Sequence, residues 1–306
     1  MDTIIDIRNV TKTYRDINAL SSVALRVEPG VTGLLGPNGS GKSTLIKGLL
    51  GLVRVQSGEG QILGYGWPAE VREIRDNIGY LPEDDCYIAG LVGIESVTFM
   101  ARLSGLPGVE ALRRAHEIMD FCDMGEERYR AVETYSTGMR QKLKFAQALV
   151  HDPKLLILDE PTTGLDPDQR YSMLQRIKNL ARDHGKSIIL STHILQDVNQ
   201  VCDNIVILYK GMMRTSGTLQ SLTELNNPTF QVKVFGASDA FEARCQQAGF
   251  SVTTGSNNSL LIEMDGDQEI QAIWEFASQT DTAIQSCTRA KRSLEEIFVE
   301  AAGVGS

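Results

Sequence analysis

Residues 31–44 have the sequence VTGLLGPNGSGKST, an apolar run followed by a glycine-rich turn and a lysine. The run VTGLL predicts a buried strand, and the residues from Lys42 onward predict a helix. Between strand and helix, residues 36–44 fit the pattern GxxxxGK[ST] in the context that a phosphate-binding loop requires. Glycines let several backbone N–H groups converge on one polyphosphate, and the following helix adds the positive end of its dipole.

The whole loop is therefore assigned to polyphosphate binding. Its nine residues are Gly36, Pro37, Asn38, Gly39, Ser40, Gly41, Lys42, Ser43 and Thr44. Within it, the Lys42 ammonium is predicted to reach the β- and γ-phosphates, and the Ser43 hydroxyl is predicted to ligate Mg²⁺.

A second acidic segment, LLILDEPTTGLDP, begins at Leu155. Asp159 ends a predicted buried strand, where its carboxylate could hold Mg²⁺ directly or through water. Glu160 suits a general base for a water that attacks a γ-phosphate. The alternative is two acidic residues in an ordinary loop, but ending a buried strand in Asp-Glu is costly unless a cation faces them.

A third segment, TYSTGMRQKL at residues 134–143, places Ser136 and Gly138 just before a predicted helix. Arg140, Lys142 and Lys144 crowd the start of that helix, where the macrodipole disfavours cations. Helix stability therefore does not explain them. On this segment alone, a turn with a serine N-cap is the simpler interpretation.

Composition limits the class of protein. The chain has 306 residues and a net charge of −9, which argues against a broad nucleic-acid-binding face. Its five cysteines include no CxxC pair, so neither a zinc site nor a disulfide framework is predicted, and a reducing cytosol is the expected compartment. The N-terminus lacks the features of a signal peptide, and no apolar run is long enough to span a membrane.

Strand-like and helix-like segments alternate over residues 1 to about 220, which predicts an α/β layer protein with a mixed or parallel sheet. Helical periodicity interrupts this pattern, so we predict an inserted helical subdomain over residues 84–140 within a first domain of residues 1–225. After a predicted linker around residues 224–228, the order β-α-β-β-α-β predicts a small ferredoxin-like α+β domain over residues 226–306.

Taken together, these segments resemble the nucleotide-binding subunits of ABC transporters. Residues 135–139 read YSTGM where that family carries its LSGGQ signature, so Ser136 and Gly138 match while Leu, Gly and Gln are replaced. In the family, the signature serves the ATP bound to the other subunit. The resemblance thus implies a P-loop NTPase fold and a head-to-tail dimer with two sandwiched ATP molecules.

Four more residues match family positions in the family's order. Tyr14 corresponds to the aromatic residue that stacks on adenine. Glu83 stands where the family usually has a glutamine that links Mg²⁺ to the transmembrane partner. Asp166 lies in the D-loop, which touches the opposite subunit, and His193 corresponds to the switch histidine that contacts the γ-phosphate.

The resemblance implies an ATPase that uses ATP and Mg²⁺, with Lys42, Glu160 and His193 as catalytic residues. It implies an exporter with separate transmembrane permease subunits, a homodimer or ABC heterodimer at the inner face of the membrane, and no nucleic-acid partner. The cations at residues 140–144 are expected to face nucleotide or partner, with a solvated face as the alternative. The alternative is a soluble ABC ATPase acting on the ribosome or nucleic acid, although such relatives usually carry two ATPase units or a long coiled-coil insertion. A third class, a P-loop small-molecule kinase, gives no reason for the Ser-x-Gly motif or for His193.

Overall fold

The computed structural model describes residues 3–225, 227–235, 239–254, 259–264 and 270–303. Contacts group the chain into two units, one of Met1–Leu219 with Phe298–Ser306 and the other of Gln220–Ile297. The predicted domain boundary between residues 225 and 226 stays a prediction, and residue 226 of the predicted linker lies outside the described residues.

The strands and helices follow one another along the chain with short connections. The strands are β1 (Ile5–Tyr14), β2 (Ile17–Val27), β3 (Val31–Leu35), β4 (Ser57–Ile62), β5 (Tyr65–Trp67), β6 (Ile78–Leu81), β7 (Leu155–Asp159), β8 (Ser187–Thr192), β9 (Asn204–Tyr209), β10 (Met212–Thr218), β11 (Thr229–Phe235), β12 (Ser251–Thr254), β13 (Ser259–Glu263) and β14 (Ala283–Arg289). The helices are α1 (Lys42–Leu49), α2 (Val71–Asp76), α3 (Gly93–Leu103), α4 (Gly108–Phe121), α5 (Thr137–Leu149), α6 (Pro167–His184), α7 (Leu195–Val201), α8 (Leu219–Thr223), α9 (Asp239–Gln247), α10 (Gln271–Gln279) and α11 (Leu294–Ala302).

The central sheet of the first unit has the order β10-β9-β3-β8-β7-β6. All neighbouring pairs are parallel except β10 with β9, so the predicted α/β fold with a mixed sheet is confirmed. Every residue of β3, β7 and β8 is buried, as expected of parallel strands covered on both faces. Because parallel strands end at one edge of the sheet, the segments that follow these three strands open toward the same place.

A second sheet, with the order β2-β1-β4-β5, is antiparallel throughout. The alternation of apolar and polar residues in TIIDIRNV, residues 3–10, predicts a strand where β1 lies, but no local pattern indicates that this strand belongs to a separate sheet. Ile5 and Ile7 of β1 share one buried cluster with Leu45 and Ile46 of α1. This sheet therefore packs against the helix that follows the phosphate loop, and helps to fix its position.

The stretch predicted to be helical, residues 84–140, contains α3, α4, two short 3-10 helices and the start of α5. Helix α5 then continues to Leu149 and leads into β7. Most of its residues are buried, including Phe145 with no exposed surface. The helix that begins at the signature segment is thus part of the protein interior.

The second unit contains an antiparallel sheet of order β12-β13-β11-β14 with α9 and α10. Its own buried cluster includes Val232, Phe241, Ile262 and Ile273, so it has a hydrophobic core of its own. The described elements run β-α-β-β-α-β, while the name ferredoxin-like stays a prediction. In neither unit does a described helix have the length and apolar content that crossing a membrane needs.

We predict that Phe145→Ala lowers the free energy of unfolding by about 3–5 kcal/mol, because it removes a buried ring and leaves a cavity. Phe99→Ala is the matched control, since that side chain is 41% exposed, and its effect should stay within about 0.5 kcal/mol. Urea unfolding followed by circular dichroism measures both values. Equal losses in the two variants would show that α5 is not the packed helix described here.

Candidate functional site

The phosphate loop joins β3 to α1 and curls tightly at two glycines. A Cβ at Gly36 would collide with the Ser40 hydroxyl and with the carbonyl oxygen of Leu208. Gly41 has a φ of +108°, and a Cβ there would lie 2.5 Å from the carbonyl oxygen of Ala19. Side chains at these two positions would therefore force the loop open, which is the physical reason for the glycines.

The Lys42 side chain folds back over this loop. Its Nζ donates to the carbonyl oxygens of Gly36 at 2.7 Å and Pro37 at 3.4 Å, and the residue is only 7% exposed. Burial lowers the pKa of Lys42, and the nearby carboxylates of Glu160 and Asp159 oppose that shift. The ammonium is thus held at the loop, facing carboxylates, where a polyphosphate would complete its charge balance.

A cavity of about 480 Å³ opens over the loop and gathers most of the predicted site. Its lining residues are Ile17, Asn18, Ala19, Asn38, Gly39, Ser40, Gly41, Lys42, Ser43, Thr44, Glu83, Asp159, Glu160 and Lys210. Gly36 and Pro37 do not line the cavity, but their carbonyl oxygens accept hydrogen bonds from Lys42 Nζ. The loop, the acidic pair and Glu83 come from three distant parts of the sequence, so the fold brings them to one place.

Two carboxylates sit almost fully buried beside this cavity. Asp159 is 2% exposed and Glu160 is 5% exposed. Glu160 Oε1 lies 2.8 Å from His193 Nδ1, so the structure brings these two predicted catalytic residues into contact. Thr192 and Thr163 each donate a hydroxyl to Glu160 Oε2 at 3.4 Å, so both carboxylate oxygens have partners.

The residues that line the cavity include oxygen donors that could bind Mg²⁺. The Ser43 hydroxyl and the carboxylates of Asp159 and Glu83 all line it, and oxygen donors are the ligands that Mg²⁺ takes. Over the described part of the chain, no cluster of three or more His, Cys, Asp or Glu residues could hold a metal ion. Mg²⁺ sites that share phosphate oxygens need only one or two carboxylates, so the residues present fit this ion.

Tyr14, which the resemblance predicts to stack on adenine, does not line the cavity. Its side chain is 43% exposed, and the Lys12 ammonium lies 4.6 Å from the ring centroid. Ile17 lines the cavity instead and is 71% exposed. Sequence reasoning missed Ile17 and Lys210, since an exposed residue beside a turn carries no motif.

The signature segment forms an N-cap. The Ser136 hydroxyl accepts from the Met139 backbone N–H at 3.3 Å and begins α5, while a Cβ at Gly138 would collide with the Gln169 side chain. Neither Ser136 nor Gly138 lines the cavity of its own chain. Asp166 is likewise an N-cap, since its Oδ1 accepts from the Gln169 N–H at 2.9 Å and begins α6.

The cations of α5 bind groups of their own chain, which differs from the expectation that they face nucleotide or partner. Arg140 pairs with Asp85 at 2.8 Å, and Lys142 donates to the carboxylate of Asp123 at 3.0 Å. Lys144 donates to three backbone carbonyl oxygens in residues 82–84. Their partners are far away in sequence, so no local pattern could have identified them.

Comparison with known proteins agrees with this site. A family described as ABC transporter matches residues 20–163. The chain is 32% identical over 304 residues to the ABC transporter ATP-binding protein YhcH of Bacillus subtilis, covering 99% of this chain and 97% of that protein. It is 32% identical over 306 residues to the daunorubicin/doxorubicin resistance ATP-binding protein DrrA of Streptomyces peucetius, covering 98% and 92%.

A solved structure gives the same result for the larger unit. The dimeric ATP-binding cassette MJ0796, in a post-hydrolysis state bound to ADP and phosphate, superposes with a TM-score of 0.65 at 27% identity, covering 70% of this chain and 98% of that one. The likeness to YhcH spans nearly the whole chain, and a cavity carries the phosphate loop and the acidic pair. This chain therefore belongs to the ABC transporter ATP-binding proteins and is an ATP-binding, ATP-hydrolysing subunit of such a transporter.

Proposed function

We propose that this subunit powers export through separate transmembrane permease subunits. One structural observation carries the catalytic part: a single cavity holds Lys42, Ser43, Asp159 and Glu160, while Ser136 of the same chain lies outside it. Export is supported by the likeness to DrrA, a resistance protein, and to the Nod factor export ATP-binding protein I of Cupriavidus metallidurans, which is 34% identical over 237 residues.

In the proposed hydrolysis, Glu160 acts as the general base. Its carboxylate accepts the proton of the attacking water, and His193 holds it in place through the 2.8 Å contact. Lys42 offsets the charge on the transferred phosphoryl group. Ser43, Asp159 and Glu83 would hold Mg²⁺, which supplies further charge neutralisation at the β- and γ-phosphates.

The proposed dimer is head to tail, either a homodimer or a heterodimer with another ABC subunit. The N-terminus of α5, a helix of 13 residues, offers backbone N–H groups and a hydroxyl that suit an anion. Ser136 and Gly138 lie outside their own cavity, which supports action on the ATP held by Lys42 of the other chain. Asp166, which begins α6, is proposed to contact that chain as well.

Adenine recognition is proposed at the turn between β1 and β2. Tyr14 ends β1 with an exposed ring, and Ile17 begins β2 and lines the cavity. An adenine ring that extends out of the cavity beside Ile17 would lie close to the Tyr14 ring, which belongs to the same turn. The exposed Tyr14 ring is suited to stacking on adenine, and the exposed Ile17 side chain adds apolar surface beside it.

The proposed location is the cytoplasmic side of the membrane, as a peripheral subunit. A second cavity, of about 460 Å³, is the proposed docking groove for a permease. It is lined by residues of α3, of β6 and of the segment between them, among them Tyr80, Pro82, Met100 and Leu103. Its lining combines these residues with charged and polar ones, among them Arg75 and Asp76. A permease bound there would lie next to the segment that carries Glu83, and so could respond to the nucleotide cavity.

The smaller unit is proposed to be a ferredoxin-like domain with a regulatory or dimerisation role. Its strand order and antiparallel pairing agree with the β-α-β-β-α-β arrangement. Among the residues that the structure describes, none that lines the nucleotide cavity belongs to this unit.

We predict that Glu160→Gln lowers the rate of ATP hydrolysis by about 10²–10⁴-fold, because the amide cannot accept the proton of water. ATP binding should persist, and the dimer should become more stable because bound ATP is no longer consumed. Phosphate release and size-exclusion chromatography with ATP measure the two effects. Glu59→Gln, an exposed change on β4, serves as the control, and a normal rate in Glu160→Gln would disprove the base assignment.

A second prediction tests the sandwich with dimers of two differently tagged chains. When one chain carries Lys42→Ala and the other carries Ser136→Arg, both changes damage the same site if the signature acts in trans, and one site still occludes nucleotide. When both changes sit on one chain, each damages a different site and occlusion should be lost. Occlusion by the same-chain double variant alone would contradict action in trans.

A third prediction concerns the residues after Leu219, which comprise the smaller unit and the last residues of the larger one. A chain that ends at Leu219 should still bind ATP, since the last residue that lines the cavity is Lys210. Dimerisation with ATP should differ from that of the full chain, measured by sedimentation velocity. A folded fragment that does not bind ATP would show that the remaining residues complete the nucleotide site.

A further inference from the structure

Lys144 is a buried lysine that the proposed hydrolysis does not use. It lies in the third turn of α5 and is 5% exposed. Its Nζ donates to the carbonyl oxygens of Pro82 at 3.0 Å, Glu83 at 3.0 Å and Asp84 at 3.4 Å. All three N–H donors of the ammonium can thus be satisfied by three successive backbone carbonyls.

Burying an ammonium is costly unless its donors and its charge find partners. Burial lowers the pKa of Lys144, and the nearby groups of Cys86, Asp85, Asp84 and Glu83 oppose that shift. An apolar side chain in α5 would pack without this cost. The lysine is therefore explained by what it holds, which is the backbone of residues 82–84.

Arg140, one helical turn earlier on the same face of α5, holds the next part of this segment. Its guanidinium pairs with Asp85 at 2.8 Å and lies 5.4 Å from the ring centroid of Tyr87. We call Arg140 and Lys144 the basic clamp. Together they fix the segment of residues 82–87 to α5 at consecutive points.

This segment needs an external support because it has no regular structure of its own. Strand β6 ends at Leu81 and helix α3 begins at Gly93, and neither a strand nor a helix lies between them. Glu83 sits in the irregular part and lines the nucleotide cavity with Ser43 and Asp159. Without a sheet or helix to hold it, the position of the Glu83 carboxylate depends on contacts such as those of the clamp.

We propose that Lys144 is a positioning residue that fixes the backbone at Glu83, and so places the Glu83 carboxylate for Mg²⁺ in the nucleotide cavity. This inference rests on the proposed metal role of Glu83. It also makes α5 a link between two sites, because Ser136 caps the same helix. Helix α5 then joins Ser136, which is proposed to contact the ATP of the other chain, to Lys144, which positions Glu83 at the ATP of its own chain.

The test compares the affinity for a non-hydrolysable ATP analogue in excess EDTA with the affinity in excess Mg²⁺. The affinity in Mg²⁺ divided by the affinity in EDTA isolates the contribution of the metal. We expect Glu83→Ala to reduce this ratio by about 10–100-fold, the usual effect of disturbing a metal's surroundings. Lys144→Met should also reduce the ratio, while its affinity for the analogue in EDTA stays unchanged.

A double-mutant cycle separates positioning from a general structural effect. If Lys144 acts through Glu83, the double variant Lys144→Met with Glu83→Ala should show the same ratio as Glu83→Ala alone. Lys144→Arg, which keeps the charge and several donors, should retain most of the metal effect. Lys142→Met is the matched control. It removes a cation of the same helix whose ammonium donates to the carbonyl and carboxylate of Asp123, and its ratio should equal that of the unmodified chain.

The outcomes separate this inference from the proposed function. Additive losses in the double variant, or a normal ratio in Lys144→Met beside a reduced one in Glu83→Ala, would overturn the inference alone. A normal ratio in Glu83→Ala would overturn its metal role and the inference together, and leave hydrolysis by Glu160 standing. If Lys144→Met does not fold, Lys144→Gln, which removes the buried charge but keeps an N–H donor, takes its place in the cycle.

Discussion

The close approach of the phosphate loop to the end of β9 is the constraint on which the site depends. Gly36 lies against the Leu208 carbonyl so tightly that no Cβ fits, and the Gly211 N–H donates to the Ser40 carbonyl at 2.9 Å. The loop is thus held from outside as well as by its own curl. Because its position is set by the central sheet, the cavity above it has a fixed floor.

Charge balance then determines which charged side chains can be buried beside the phosphate loop. Lys42, Asp159 and Glu160 are all nearly buried, and each would be costly alone. The cation lowers the cost of the two anions, and hydroxyl donors from Thr163 and Thr192 satisfy the remaining oxygen of Glu160. Lys42 therefore lowers the cost of an acidic pair at the end of a buried strand, which gives a physical reason for the two motifs to occur together.

The parts of the site that the sequence could predict are those that are contiguous. The loop over residues 36–44 and the Asp159–Glu160 pair are short segments that end predicted strands, and parallel strands bring such ends together. The second antiparallel sheet and the place of Ile17 in the cavity depend on contacts between distant segments, so no local pattern shows them. The partners of Lys144 are 60 or more residues away, which is why the cations beside the signature looked like ligands for nucleotide.

Helix α5 connects these separate findings. At its start, a Cβ at Gly164 would lie 2.7 Å from Thr137 Cγ2, and Gln141 donates to the Thr163 carbonyl at 3.2 Å, so the loop after Glu160 rests on the helix. Farther along, Lys144 holds the segment that carries Glu83. These contacts are made by one continuous helix of 13 residues. A shift of Ser136 at the N-terminus of this helix would therefore strain its contacts with the loop after Glu160 and with the segment that carries Glu83.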